Sequence, residues 1–259
     1  MKTKCPFCGA SEIKIQLKTP NWKIFACLVC TNAWTKPPPI GIDQINYEEK
    51  NFHSRFGFKE VSDMPYQWRK AVLMQARLVE KYLPIGSSIL EIGCGEGLFL
   101  RELSKRGFKV SGVEPSKTAS EFARISGLNV IQGYFPDTHI PGSFDAVVIS
   151  QVLEHVPDPI SFLRSSGALA PNGYILLVQT NWRGLMPRIY RQHWYAWVPD
   201  QHYWHFTPKG LRLIFKELNW QVVKLEYSSL SHNNNIISLI APFIPGFGDQ
   251  FHLLVKIPA

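Results

Sequence analysis

The chain lacks any run of about 18 uninterrupted apolar residues, which excludes a helical membrane span from the sequence pattern. Its first ten residues, MKTKCPFCGA, lack the apolar centre of a secretory signal, and the expectation is a cytoplasmic location. No internal repeat and no low-complexity tract is present, so solenoid and fibrous classes drop out. No Gly-Lys-Ser/Thr follows a glycine cluster, which argues against a nucleoside-triphosphate phosphate loop. Carboxylates are scarce: 20 Asp and Glu stand against 28 Lys and Arg, and the surplus of +8 favours an anionic partner such as a nucleotide, nucleic acid or membrane surface without choosing among them.

What is present is a chain of 259 residues, 45% apolar, long enough for one large domain with a small module attached. Four of its five cysteines form two tight pairs, Cys5/Cys8 and Cys27/Cys30. Between the pairs lie two strand-like runs, EIKIQL and WKIFAC, separated by a turn at Thr19-Pro20-Asn21. Four thiolates at this spacing close a tetrahedron around Zn²⁺, and the metal supplies folding energy that so short a module cannot draw from its own core. Residues 1–36 therefore read as a zinc ribbon with a structural site, the alternative being two disulfides. The proline-rich stretch 37–44 reads as a stiff connector and residues 45–259 as the main domain.

In that domain, YQWRKAVLMQARLVEKYL places Trp68, Val72, Val79, Tyr82 and Leu83 at helical spacing and stops before Pro84. Strand candidates SSILEIG, FKVSGVE, NVIQG, FDAVVISQ and GYILLVQT then alternate with helical segments. Near-continuous apolar strands in alternation with helices imply a parallel sheet covered on both faces. A last helix, TPKGLRLIFKEL, carries Thr207 as N-cap and Pro208 in its first turn, and the strands WQVVKLEY and FHLLVKIPA follow. Between those strands, residues 233–247 form an apolar insert, read as a buried helix or a homodimer contact, with membrane-surface contact the sharper alternative.

In such a sheet the first strand-to-helix turn meets the ligand. Here it is ILEIGCGEG, whose third glycine comes too early for a dinucleotide fingerprint, since the sixth position counted from Gly93 is Leu98. Glu91-x-Gly93-x-Gly95-x-Gly97, with Glu114 and Pro115 in VSGVEPS, resembles motif I and its partner in the class I S-adenosylmethionine-dependent methyltransferases, over roughly residues 45–259. The resemblance implies a Rossmann-like, seven-stranded sheet with the last strand antiparallel. It also implies S-adenosylmethionine as cofactor, bound by Glu91, Gly93, Cys94, Gly95, Gly97, Glu114 and Pro115. Glu114 would accept both ribose hydroxyls, and Glu91 would lie near the ammonium. FDAVVISQVLEHVPDP is similar to motif IV of the small-molecule branch, so that Ser150, Gln151 and Val152 would line the methyl, with Glu154 and His155 on the adjacent wall. In GYFPD, Tyr134 stands where the family often has an acidic residue, which passes adenine recognition to backbone groups or to stacking by Tyr134 and Phe135. Thr180-Asn181-Trp182 likewise replaces a common Thr-Pro-Asn.

Residues 181–206 hold four tryptophans and three histidines, where an acceptor lid would lie. Arg183, Arg188 and Arg191 would hold an anionic group, and His155, His202 and His205 are the candidate general bases. A metal role for these histidines needs a convergent ligand set that the sequence does not display. The expectation is a methyltransferase acting on a small, anionic acceptor such as a sugar or surface-polysaccharide precursor. A ribosomal-RNA guanine methyltransferase is the runner-up, and an inactive scaffold whose ribbon binds a partner protein is the reading from a different class.

Overall fold

Strand β4, Ser88–Ile92, is buried along nearly its whole length, and β7, Ala146–Ser150, and β8, Tyr174–Thr180, are buried in the same way. That is why they read as unbroken apolar runs: both of their faces are covered. The computed structural model describes residues 4–39, 58–229, 244 and 246–258. With β5, Lys109–Glu114, β6, Asn129–Gln132, β10, Gln221–Ser228, and β11, Gln250–Lys256, these strands form one sheet in the order β10-β11-β8-β7-β4-β5-β6. The chain steps from β4 outward through β5 to β6, then returns to β7 on the other side of β4, so the order reverses between β4 and β7. Strand β11 pairs antiparallel with both β8 and β10, which makes the last strand the inverted one, as expected.

Helices α1, Tyr66–Tyr82, and α2, Leu98–Lys105, pack on one face through Ala76, Val79, Phe99 and Leu103 against Ile89, Val148 and Val178. On the other face α4, Pro159–Ala168, and α6, Pro208–Glu217, bring Phe162, Leu163, Ile214 and Phe215 onto Leu90, Ile149 and Leu177. Helix α3, Lys117–Ile125, covers the β5/β6 side through Ala123. Local signals set the helix starts: Ser116 Oγ accepts from the Ala119 amide, Asp158 caps α4 ahead of Pro159, and Thr207 Oγ1 accepts from the Gly210 amide. No helix among the described residues is long and apolar enough to cross a membrane.

A second sheet contains β1, Ile13–Lys18, β2, Lys23–Cys27, and β3, Ala33–Lys36. Its fourth strand is β9, Trp204–His205, which pairs antiparallel with β3 and comes from the far end of the chain. The prolines after residue 36 thus mark a boundary in chain order, while in space the cysteine-bearing sheet and residues 204–205 are one sheet. A short helix α5, Leu185–Tyr190, precedes β9. The expected insert at 233–247 lies outside the described residues apart from 244, 246 and 247, and the connector is described only to residue 39.

Candidate active site

The turn after β4 has three left-handed glycines, with φ of +71° at Gly93, +53° at Gly95 and +74° at Gly97. Their reasons for being glycine differ. A Cβ at Gly93 would lie 2.5 Å from Val152 Cγ2, and one at Gly97 would lie 2.3 Å from Leu128 Cδ1, so the protein's own packing excludes side chains there. At Gly95 nothing lies within 4 Å of that position, and the space beside the backbone is open. Of the three glycines, only Gly95 keeps room for a ligand. Glu114, at the end of β5, fixes the turn: its Oε2 accepts from the Gly95 amide at 2.8 Å and its Oε1 from the Ser116 amide at 2.9 Å.

Glu91 is buried beneath this turn, and burial, followed by the neighbouring charge of Glu114, pushes its carboxyl well above the usual carboxylate range. Its Oε2 has no protein partner. Cys94 sends its thiol behind the loop among Leu100, Ala123 and Leu128, where burial raises its pKa, so the turn offers a ligand only the backbone of this residue. Pro115 is half-buried. Tyr134 is exposed, and Phe135 packs edge-on to Phe162 with ring centroids 5.2 Å apart.

From the neighbouring end of β7, Ser150, Gln151 and Val152 lead into a short 3₁₀ turn at Leu153–His155. Gln151 has φ of +55°, uncommon for a residue with a Cβ, and its buried Nε2 has no protein partner. Glu154 is fully buried; its Oε2 accepts from Gln179 Nε2 at 2.9 Å, and burial raises its pKa. His155 is half-exposed and donates from Nδ1 to the Gln201 carbonyl at 3.2 Å. The rings of His155 and His202 stand edge to face, with centroids 4.7 Å apart, and His202 lies 5.9 Å from His205. Burial holds His202 well below its ordinary pKa and lowers His205 to about 3, so both are neutral at pH 7. One donor atom from each of Glu154, His155 and His202 lies within 4.8 Å of the others, a convergence the sequence did not display.

The four cysteines also converge, with Sγ–Sγ distances of 3.6 Å for Cys5–Cys30 and for Cys8–Cys27. A tetrahedral site with Zn–S bonds of about 2.3 Å needs sulfurs about 3.8 Å apart, so these residues fit the ion. The sheet beside them is bound to residues 182–207. Trp182 Nε1 donates to the Thr31 carbonyl, the Thr207 amide donates to Asn32 Oδ1, and Thr31 and Thr207 share a hydroxyl bond of 2.7 Å. Thr35 Oγ1 donates to the His202 carbonyl at 2.7 Å and meets His205 Nε2 at 3.2 Å. Trp182, Met186 and Trp194 pack against Ile24, Ala26 and Ala33, so two of the lid tryptophans join the lid to the ribbon rather than line an open chamber. Arg183, Arg188 and Arg191 are exposed, and two of them lie against the faces of Trp182 and Phe247. Sequence reasoning did not single out Thr31, Asn32, Thr35 or Gln179; a buried hydroxyl or amide carries no spacing signal of its own.

Comparison with known proteins adds a family. A model described as "Methyltransferase domain" matches residues 61–225. Curated relatives include a ubiquinone biosynthesis O-methyltransferase of Caulobacter vibrioides, 36% identical over 144 residues, which are 49% of this chain and 56% of that protein. A protein of the same description from Vibrio campbellii is 31% identical over 134 residues, 48% of this chain and 54% of that one. The chain thus spans about half the length of the curated relatives it matches. Among solved structures, the magnesium protoporphyrin IX methyltransferase of Synechocystis PCC 6803, with bound S-adenosylhomocysteine, superposes with a TM-score of 0.61 at 14% identity, covering 82% of this chain and 96% of that one. A methyltransferase of Archaeoglobus fulgidus gives 0.52 at 21% identity, covering 79% and 97%. At these identities the two structures speak for the fold alone.

Proposed function

Because the chain belongs to the methyltransferase-domain family, we propose that it transfers a methyl group from S-adenosylmethionine to a hydroxyl-bearing small molecule. The observation that carries this reading is the meeting of the glycine turn, Glu114 and Gln151–His155 at the carboxyl ends of β4, β5 and β7, beside the point where strand order reverses. The residues fit the cofactor: Gly95 leaves open space, and Glu91 Oε2 and Gln151 Nε2 are buried polar atoms without protein partners. When bound, the cofactor supplies a methyl carbon already activated by a sulfonium.

The protein's task is then alignment and proton handling. Glu114, whose carboxylate holds the Gly95 and Ser116 amides at the end of β5, would accept the ribose hydroxyls. Glu91 would accept from the ammonium of the methionyl part. Gly93, Gly97 and the backbone of Cys94 shape the turn, Pro115 starts the chain toward α3, and Tyr134 and Phe135 would contact the adenine. Ser150, Gln151 and Val152 line the path of the methyl. Proton removal from the acceptor falls to the cluster of Glu154, His155 and His202, with His205 held behind it by Thr35 of the ribbon.

The four cysteines are proposed to hold a structural Zn²⁺, with residues 1–36 as the ribbon, 37–44 as connector and 45–259 as the methyltransferase domain. The ribbon thereby forms the back of the acceptor side. A hydroxyl acceptor accords with the O-methyltransferase relatives, and a sugar or surface-polysaccharide precursor belongs to the same chemical class. The test uses methyl-labelled S-adenosylmethionine with a metabolite extract, a panel of phenols and sugar nucleotides, and purified ribosomal RNA. Label in a low-mass hydroxyl product is expected. Label at one RNA nucleotide would move the assignment to RNA, and S-adenosylhomocysteine binding with no labelled product from any source would favour an inactive scaffold.

A further inference from the structure

We infer that the outer face of the cysteine-bearing sheet docks single-stranded nucleic acid, with Lys18, Lys23 and Lys36 on the phosphates and the neighbouring row of Ile15 and Phe25 under the bases. This docking stands apart from methyl transfer and needs no turnover. Residues 1–36 hold six lysines and no arginine against one carboxylate, Glu12, so most of the chain's surplus of +8 sits in one small module.

The strand register lines up three of those lysines. Lys18 on β1 is opposite Lys23 on β2, and Lys23 is opposite Lys36 on β3. Directly opposed side chains leave the same face with Cβ atoms about 5 Å apart, and like charges so placed repel. All three lysines are exposed, and none makes an ion pair among the described residues. The cysteine end offers no relief. Cys27 ends the strand that Lys23 begins, about 13 Å away at the rise of a β-strand, and the Debye length in 0.1 M salt is about 10 Å. A row of three unopposed cations therefore weakens the sheet unless an anion lies across it.

The next row on the same face is apolar. Phe25, which alternation places on the side of Lys23, is opposite Ile15 on β1 and Trp34 on β3. The Phe25 and Trp34 rings stack with centroids 5.9 Å apart and an interplanar angle of 21°. Trp34 is buried, Phe25 half-buried and Ile15 54% exposed, so the row is a shallow platform. A cationic row beside such a platform can track a phosphate backbone while bases stack next to it. A lipid surface calls instead for large apolar side chains that reach into the acyl boundary, and on this face only Ile15 is more than half exposed. An acidic protein would meet the lysines and leave the aromatic row unused. Lysine lacks the planar fork that reads a base edge bidentately, so docking here is indifferent to sequence.

The experiment follows the fluorescence anisotropy of a fluorescein-labelled oligouridylate of about 12 nucleotides as the full chain, kept reduced with zinc present, is added. Three phosphate contacts on a single strand give a log–log salt slope of roughly −2, so affinity should fall about tenfold to twentyfold between 50 and 200 mM salt. In the double variant Lys18→Gln, Lys23→Gln that fall should shrink to about twofold to threefold, with zinc content and S-adenosylhomocysteine affinity unchanged. Phe25→Leu should weaken binding at least about fivefold by removing a stacking surface. Should that variant fail to fold, the lysine variant decides alone, because its altered side chains are exposed. No binding at 50 mM salt, an unchanged salt dependence in the lysine variant, or polyglutamate bound as tightly as the oligouridylate overturns the inference. Binding to phosphatidylglycerol vesicles without binding to the oligouridylate overturns it in favour of a membrane.

Discussion

Glu114 reaches the amide of Gly95 across 19 residues of chain, whereas Thr35 reaches the carbonyl of His202 across 167. The proposed cofactor side is written in one βαβ unit, where backbone geometry demands glycine at fixed positions and the partner carboxylate ends the next strand. The proposed acceptor side is assembled from residues 31–35, 154–155, 179 and 181–207, brought together by a strand that the cysteine-bearing sheet borrows from the far end of the chain. Local backbone requirements leave a pattern in sequence; side chains that converge from distant segments do not.

The largest effect that would sharpen this division comes from the ribbon. Cys27→Ser should open the proposed zinc site and free Thr31, Asn32 and Thr35 from residues 182–207. Misplacement by about an ångström costs on the order of 100-fold in rate, so we expect methyl transfer to fall by about that factor while calorimetry finds S-adenosylhomocysteine affinity within a few-fold of normal. An equal loss of cofactor affinity would break the division.

Next is Glu114→Ala, which removes charge-assisted hydrogen bonds worth about 1.5 to 3 kcal/mol each and should weaken cofactor binding roughly tenfold to a hundredfold per bond. The glycines refine it. Gly95→Val should abolish cofactor binding with a modest backbone penalty of about 1 to 2 kcal/mol for the left-handed conformation, because open space surrounds its Cβ position. Gly97→Val would instead drive into Leu128, and overpacking of about 1 to 3 kcal/mol should add to the same backbone penalty and appear in a thermal melt. Equal melting temperatures for the two variants would contradict the assignment of Gly95 to the ligand.

Protonation of Glu91 gives a smaller effect of defined sign. Its carboxyl titrates well above the ordinary range in the free protein, and an adjacent ammonium would lower it in the complex. Binding should then release up to one proton, and affinity should rise by up to about tenfold per pH unit between the bound and free pKa values. Calorimetry in buffers of different ionisation heat measures the release; no release, with Glu91→Gln showing the same pH dependence as the unaltered protein, would remove Glu91 from the ammonium.

The smallest effect is Thr35→Val, which deletes hydrogen bonds to the His202 carbonyl and the His205 ring at a cost of about 0.5 to 1.5 kcal/mol each. It should raise the acceptor KM and leave cofactor affinity unchanged.

All seven strands of the main sheet and its long helices were legible, because apolar runs of 4–8 residues alternated with amphipathic segments and Ser, Asp or Thr stood at helix starts. The glycine turn was legible as a turn in left-handed backbone, although Val152 and Leu128 account for two of its glycines. Strand β3 and the pairing of Trp204–His205 were not visible, since two residues carry no periodicity and their partner lies about 170 positions away. The four cysteines announced themselves by spacing, but the Glu154–His155–His202 set could not, because His202 joins it only through the fold.

Hydrogen–deuterium exchange with and without S-adenosylhomocysteine tests the division of the molecule most directly. Exchange should slow at residues 93–97, 114–119 and 150–155 and stay unchanged at 13–36. Protection confined to the cysteine-bearing sheet, or no protection at 93–97, would contradict it.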